Sequence, residues 1–321
     1  MTRAIIIGGS GHVGTYLVPR LVEAGFDVVN VSRGARDPYQ AHGAWSQVEQ
    51  VIVDRVAAEA AGDFGPQIAA LQPDIVIDMI CFTLESAQHL TRALQGKVQH
   101  FLHCGTVWIH GHSAVVPTVE SQSRAPFGEY GIQKSLIEIY LMDQARRHGF
   151  PATAIHPGHI VGPGWAPLNP EGHFDLRVFS DLAQGNEILI PNLGQETVHH
   201  VHADDVAQAF MQAIIYRSTA VGESFHAVSP AAVSLRGYAE AVAGWFGREA
   251  NVRYLPWPDW EAQRSETDAA ATWSHIAHSP SCSIEKGRRL IAYQPRYTSF
   301  QAVHEAVQWL VADGSIQTSA S

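Results

Sequence analysis

Tyr130 and Lys134 stand four residues apart in the run Tyr130-Gly131-Ile132-Gln133-Lys134, which follows Pro126. At that spacing two side chains share one face of a helix, so the run predicts an ammonium held near a phenol. An ammonium favours phenolate over phenol and draws the tyrosine pKa down toward the working range. Such a tyrosine takes the proton of an alcohol while hydride leaves the same carbon, or returns a proton to a carbonyl. The spacing alone is common in helices. It gains meaning from what precedes it in the chain.

A glycine turn lies near the start: Ile5-Ile6-Ile7-Gly8-Gly9-Ser10-Gly11-His12-Val13-Gly14. A strand precedes it and a helix follows. Gly8 permits the tight turn, Gly11 lets backbone N–H groups approach a pyrophosphate, and Gly14 lets the helix pack close to the strand. Gly9, Ser10, His12 and Val13 complete the turn, and phosphates are expected at the helix N-terminus. The hydride partner is therefore read as a nicotinamide dinucleotide. About twenty residues on, an acid would bind the ribose diol of NAD. The chain instead has Val31-Ser32-Arg33-Gly34. An arginine fork there suits a 2′-phosphate, with Ser32 as a further donor, so NADP is favoured. If Arg33 only stacks on adenine, NAD is bound instead. Asp54, after the third strand, is placed to meet the adenine amino group.

These residues need a scaffold, and the chain alternates β-branched runs with helix-period segments. Strands are predicted at Ala4–Ile7, Asp27–Val31, Val48–Val53, Asp74–Ile80, Gln99–Cys104 and Ala152–His156. Helices are predicted at Val13–Ala24, closed by Gly25, and around Gly65–Leu71, Glu85–Leu94 and Tyr130–His148. The fold class is α/β, a doubly wound parallel sheet of the Rossmann kind with a smaller C-terminal substrate-binding lobe. The dinucleotide domain takes residues 1–156 plus about 198–228. The lobe takes 157–197 and 229–312, with a frayed polar tail at 313–321. Further helices are expected at Ala203–Ile215 and near Phe300–Val311. There is no internal repeat and no low-complexity segment.

Taken together, these residues resemble the extended short-chain dehydrogenase/reductase superfamily, in particular the NAD-dependent epimerase/dehydratase family, over nearly the whole chain. Gly8, Gly11 and Gly14 fit its glycine pattern, and Tyr130 with Lys134 fits its Tyr-x-x-x-Lys motif. Gly105-Thr106-Val107-Trp108-Ile109-His110-Gly111 matches its Ser-Ser-x-x-Val-Tyr-Gly segment. Gly105 there replaces a serine and His110 a tyrosine. The resemblance implies that Tyr130 is the acid/base, Lys134 tunes it and holds the nicotinamide ribose, and Thr106 orients the reacting oxygen. Ile80 and Cys81 after the fourth strand are placed to line the cofactor. So are Pro157, Gly158 and Ile160, in a segment where His156 replaces a common arginine. Val201-His202-Ala203-Asp204-Asp205 resembles the family's "His-Val-Asp-Asp" helix start, with Asp204 or Asp205 as cap. Ser283–Leu290, followed by Pro295, fits its closing pattern.

The implied reaction is hydride transfer at a sugar or nucleotide-sugar carbinol, with epimerisation favoured over carbonyl reduction. An NADP-selecting Arg33 would favour reduction. A dehydratase would carry acids after Thr106, where this chain has Val107 and Trp108. A diphosphate-holding arginine is expected just before the His-Asp-Asp segment. Gln195–His200 has none, which leaves Arg177, Arg236 and Arg253 as substitutes and a free sugar as an alternative. Substrate contacts are expected from Thr106, Trp108, His110 or His112, His159, His199 and His200. Trp165, Trp257 and Trp260 suit either sugar stacking or lobe packing.

Composition narrows the alternatives. Lys plus Arg number 21 against 31 Asp plus Glu, a net charge of −10 that repels phosphate backbones and anionic lipid. This disfavours a non-catalytic NADP-sensing or RNA-associated protein, as do the intact Tyr130, Lys134 and Thr106. No nucleic-acid or membrane partner is expected, and a homodimer through the Tyr130 helix and its neighbour is. Eighteen histidines invite a metal, densest at His199-His200-Val201-His202. Hydride chemistry by Tyr and Lys needs none, and no metal is expected. Three cysteines suit a reducing compartment, and the short N-terminal apolar run is no signal-peptide core. The expected location is cytoplasmic.

Overall fold

The computed structural model describes residues 1–318. Its centre is one parallel sheet built from β1 (Arg3–Ile7), β2 (Asp27–Ser32), β3 (Glu49–Ile52), β4 (Ile75–Asp78), β5 (His100–Cys104) and β6 (Ala152–Pro157). A seventh strand, Ser224–Ala227, pairs with β6. The order across the sheet is Ser224–Ala227, β6, β5, β4, β1, β2, β3. Chain direction across the sheet reverses between β1 and β4. Their carboxyl ends therefore open a crevice where a doubly wound sheet takes its ligand.

The predicted elements form for the reasons given by their patterns. β1 is apolar throughout because both faces are covered, and Ala4, Ile5, Ile6 and Ile7 are all at most 1% exposed. Helix α1 (Gly14–Glu23) turns Leu17, Val18 and Leu21 onto the sheet, and Gly25 at φ +83° ends it. Short helices α2 (Arg55–Ala60) and α3 (Phe64–Ala70) follow β3, and α4 (Leu84–Leu94) is capped by the Thr83 hydroxyl. Helix α5 (Gly128–Arg147) carries Tyr130 in its first turn and Lys134 one turn deeper.

A second core lies over the carboxyl-terminal side of the chain, where Phe179, Tyr238, Val242, Ala302 and Val303 are closed off from solvent. Two short parallel strand pairs brace it: His159–Val161 with His200–His202, and Ile188–Pro191 with Val252–Leu255. Trp260 is buried there and donates through Nε1 to the Leu189 carbonyl at 2.7 Å, so it packs rather than offering a stacking face.

Three expectations are corrected. Helix Ala203–Ile215 is capped by His202, whose Nδ1 accepts from Asp204 N at 3.0 Å. The two carboxylates are held elsewhere: Asp204 pairs with Arg20 and Arg296, and Asp205 accepts from the Arg296 and Tyr297 amides. Strand Ser224–Ala227 was not expected, because four residues with one large apolar side chain give a weak pattern and the pairing with β6 forms the strand. The tail does not fray at Asp313. Ile316 is 2% exposed and Gln317 N donates to Ser180 Oγ, because the apolar Ile316 has a core to enter. Residues 319–321 of that tail lie outside the described residues. No described helix is long and apolar enough to cross a membrane.

Candidate active site

The glycine turn sits at the mouth of the crevice. Gly8 has φ +88°, and a Cβ on it would come within 2.8 Å of Ile80, which leads out of β4. A Cβ on Gly14 would stand 2.0 Å from the Gly9 carbonyl oxygen, so only glycine lets α1 start this close to β1. No side chain caps α1, leaving its positive end open to an anion. Beside it is a cleft of about 610 Å³, lined among others by Gly8, Ser10, Gly11, Ser32, Arg33 and Asp54. The turn, the uncapped helix and the cleft fit a dinucleotide: pyrophosphate on the turn, adenosine in the cleft.

Within the cleft, Arg33 is exposed, and Arg36 lines the same wall while donating to the Tyr39 hydroxyl. Ser32 Oγ accepts from Gly34 N, and Asp54 caps α2 by accepting from Ala57 N. His12 stacks on Trp165 at 4.0 Å and touches Tyr39, so Trp165 belongs to the cofactor turn rather than to a sugar face. Burial drives the His12 pKa down to about 4, which keeps the ring neutral. One buried pair escaped the sequence reading: Arg55 donates twice to Asp78, which is fully buried at the end of β4. A lone arginine and a lone aspartate 23 positions apart carry no local signal.

Tyr130, Lys134 and Thr106 converge at the end of β5. Tyr130 is 42% exposed, and the Thr106 side chain, itself buried, stands close enough to its hydroxyl to lower its pKa. Lys134 is 1% exposed and its Nζ donates to the Cys81 and Cys104 carbonyls at 2.7 Å each. The expected lowering of the tyrosine pKa is not found. Burial pushes the phenol up to about 12, the Cys104 thiol adds to this, and the Thr106 hydrogen bond opposes it. The site thus presents a protonated phenol at neutral pH. Cys81 and Cys104 are pushed up to about 12 and about 11 by burial, which makes them lining and not nucleophiles.

Behind Thr106 runs a buried polar chain. Thr106 N donates to His156 Nδ1 at 3.2 Å, and His156 Nε2 meets Glu138 Oε1 at 3.2 Å. Arg124 clasps Glu138 with bonds of 2.8 and 2.6 Å and reaches His110 Nδ1. His110 Nε2 then meets His226 Nε2 at 2.8 Å. The histidine and arginine around Glu138 hold its carboxyl far below the usual range against the cost of burial.

Several expected substrate residues are therefore corrected. Both ring nitrogens of His110 are taken within this chain. His199 bonds Ser229 O through Nε2 and accepts from Cys282 N at Nδ1. His200 bonds the Leu168 carbonyl and is fully buried against Tyr238. His199 and His200 close buried backbone groups, and His110 bonds side chains. The structure does bring Trp108 and His159 to the Tyr130 side, with Trp108 edge-on to Tyr130 at 5.9 Å. Pro157 ends β6, Gly158 and Ile160 follow it, and the Gly158 backbone packs against the His199 carbonyl. The sequence reading missed Phe127, His275 and His278, whose rings surround Trp108; the spacing of 275 and 278 on one helix face was the available signal. Among the described residues no group of three or more His, Cys, Asp or Glu is arranged to hold a metal.

A dinucleotide crevice at the sheet's reversal point, with a tyrosine, lysine and threonine at the end of β5, defines an α/β enzyme of nicotinamide chemistry. The chain belongs to the NAD dependent epimerase/dehydratase family, whose model matches residues 4–226. It is 27% identical over 264 residues to 2'-dehydrokanamycin reductase of Streptomyces kanamyceticus, covering 82% of this chain and 72% of that one. It is 24% identical over 309 residues to UDP-glucose 4-epimerase of Mycolicibacterium smegmatis, covering 89% and 96%. Its fold matches the UDP-glucuronic acid 4-epimerase of Bacillus cereus in complex with NAD, with TM-score 0.73, 15% identity and coverage of 97% and 99%.

Proposed function

We propose that this enzyme moves hydride between a sugar-type carbinol or ketone and a nicotinamide dinucleotide, with Tyr130 as acid/base. The observation that carries the reading is the Tyr130 hydroxyl beside Thr106, with the buried Lys134 one helical turn deeper. When bound, the nicotinamide ring supplies or accepts the hydride. Tyr130 holds the proton that the substrate oxygen gains or loses, and Thr106 fixes that oxygen by a second hydrogen bond. Lys134 anchors the end of β5 through two carbonyls and presents its charge toward the ribose side. Gly8 to Gly14 hold the pyrophosphate. Similarity to a reductase acting on 2'-dehydrokanamycin and to UDP-glucose 4-epimerases supports a sugar-type substrate.

Reduction with NADPH is the favoured direction. Arg33 and Arg36 in the cleft favour a 2′-phosphate. Epimerisation is the second reading, supported by similarity to the epimerases. The test is ketone reduction followed at the nicotinamide absorbance. Tyr130→Phe should lower kcat by about 100-fold or more while NADPH still binds. Unchanged turnover would sink the assignment. Stoichiometric NAD released from purified enzyme would turn the reading to epimerisation.

A homodimer is also proposed, through the exposed ridge of Ile132, Leu136 and Ile139 on α5, 39%, 39% and 55% exposed. Sedimentation at micromolar concentration should give twice the chain mass, and Ile139→Glu should lower it. A monomeric wild type would end the idea.

A further inference from the structure

Beside Tyr130, four rings form a column. Trp108 stacks on His278 at 4.3 Å, His278 on Phe127 at 4.0 Å, and Phe127 on His112 at 4.3 Å. His275 and His159 stand edge-on to Trp108 at 5.2 and 6.4 Å. This wall continues the surface that holds the Tyr130 hydroxyl, because Trp108 N donates to Thr106 Oγ1.

The protons on the wall are assigned by its carbonyl partners. His278 Nδ1 bonds the Ser274 carbonyl at 2.6 Å, so that nitrogen carries the hydrogen. Burial keeps the His278, His275 and His159 rings neutral. His278 Nε2 is then a bare lone pair, and it is buried without a partner among the described residues. His159 Nε2 is likewise buried and unpartnered. A buried polar atom left in this state costs about 1–3 kcal/mol. What relieves His278 Nε2 is a donor, such as a hydroxyl. A phosphate at neutral pH brings only oxygen lone pairs, which would face the nitrogen's own.

The arginines that the sequence offered for a diphosphate, and Arg264, are each already paired. Arg177 pairs with Asp175, Arg264 with Glu171, Arg236 with Glu240 and Arg253 with Glu187. Arg124 is clasped to Glu138 behind Thr106. A diphosphate drawing on one of these arginines would have to displace a carboxylate already in place.

We propose that the aromatic wall beside Tyr130 takes an uncharged polyhydroxylated ring, a free or glycosidic sugar or cyclitol carrying no phosphate or nucleotide. The ring's C–H face lies on Trp108, and a hydroxyl donates to His278 Nε2. This rests on the hydride-transfer reading given above and narrows its substrate.

The test has a binding arm and a turnover arm, both on full-length enzyme loaded with NADPH. UDP and dTDP are titrated calorimetrically, and neither should bind tighter than about 1 mM. Hydride transfer is then assayed on a panel of uncharged keto-sugars and keto-cyclitols and on their phosphorylated and UDP-linked counterparts. Turnover should be confined to uncharged members. His278→Leu should raise KM about tenfold with kcat little changed, as loss of one hydrogen bond predicts. His278→Gln, which keeps an acceptor, should recover part of it. His159→Leu serves as a second variant should the first fail to fold. UDP binding in the micromolar range, or faster turnover of a UDP-linked member than of its uncharged counterpart, overturns the substrate assignment and leaves hydride transfer standing. No turnover of any member, with NADPH bound, overturns both.

Discussion

Gly105 and His156 are a coupled pair. A Cβ on residue 105 would lie 2.2 Å from His156 Nδ1, the atom that accepts the Thr106 amide. The imidazole thus occupies the space a side chain at 105 would fill, and the two unusual residues require each other. Because the Thr106 amide is held by His156 and its side chain stands beside the Tyr130 hydroxyl, a displaced His156 should misplace the substrate oxygen. Gly105→Ala is expected to lower kcat by about 10- to 100-fold, the worth of one misaligned hydrogen bond, with NADPH affinity unchanged. Adding His156→Ala to it should restore part of the rate, because it returns the room. Equal kcat for wild type and Gly105→Ala would remove His156 from any positioning role. At this scale Tyr130, Lys134 and the glycines were legible because their signals lie within a few residues of one another. The chain from His156 through Glu138, Arg124 and His110 to His226 was not, since it joins residues from five separate stretches of sequence. Sequence reading accordingly placed His110 at the substrate, whereas both its nitrogens face inward.

Among the elements, the first strand–turn–helix unit is the most tightly specified. α1 begins against β1 only because residue 14 has no Cβ: one would meet Gly9 O at 2.0 Å and Gly9 Cα at 2.6 Å. Backbone atoms cannot move aside as a flexible side chain can, so Gly14→Ala should push the helix off the turn. We expect a loss of about 1–3 kcal/mol in denaturant unfolding, typical of overpacking, and at least tenfold weaker NADPH binding. Gly43→Ala is the control, because nothing lies within 4 Å of a Cβ there and it should be tolerated. Similar effects from both substitutions would mean the close approach is not what shapes the turn. The six strands that were legible carry apolar runs bounded by turns, and their helices carry an apolar stripe. Helix α2 and strand Ser224–Ala227 were not legible. α2 is only six residues long and is held largely by the Arg55–Asp78 pair, while the strand is made by its place beside β6.

For the molecule as a whole, the abundance of histidine has a thermodynamic consequence. Among the described residues, eleven of the eighteen histidines are buried. Burial drives His199, His202, His226 and His275 down to about 4, and His100 and His200 to about 3. In the unfolded chain each titrates near 6.5. Between pH 6.5 and about 4 the unfolded state therefore binds protons that the folded state refuses. Stability then falls as pH falls through that window. Each such group contributes about 1.4 kcal/mol per pH unit there, so at pH 5.5 the first four together remove about 5 kcal/mol. That is comparable to the whole net stability of an ordinary domain. Asp205 works in the opposite sense: its carboxyl is raised by burial to about 6, so its penalty is relieved as the pH drops below that value. One such carboxyl does not balance four or more imidazoles. The melting temperature should hardly change from pH 8 to 7 and then fall steeply from pH 6.5 to 5. Scanning fluorimetry in matched ionic strength reads this directly. A melting temperature constant between pH 7 and 5 would mean that these rings charge within the folded protein, and that burial does not hold them neutral.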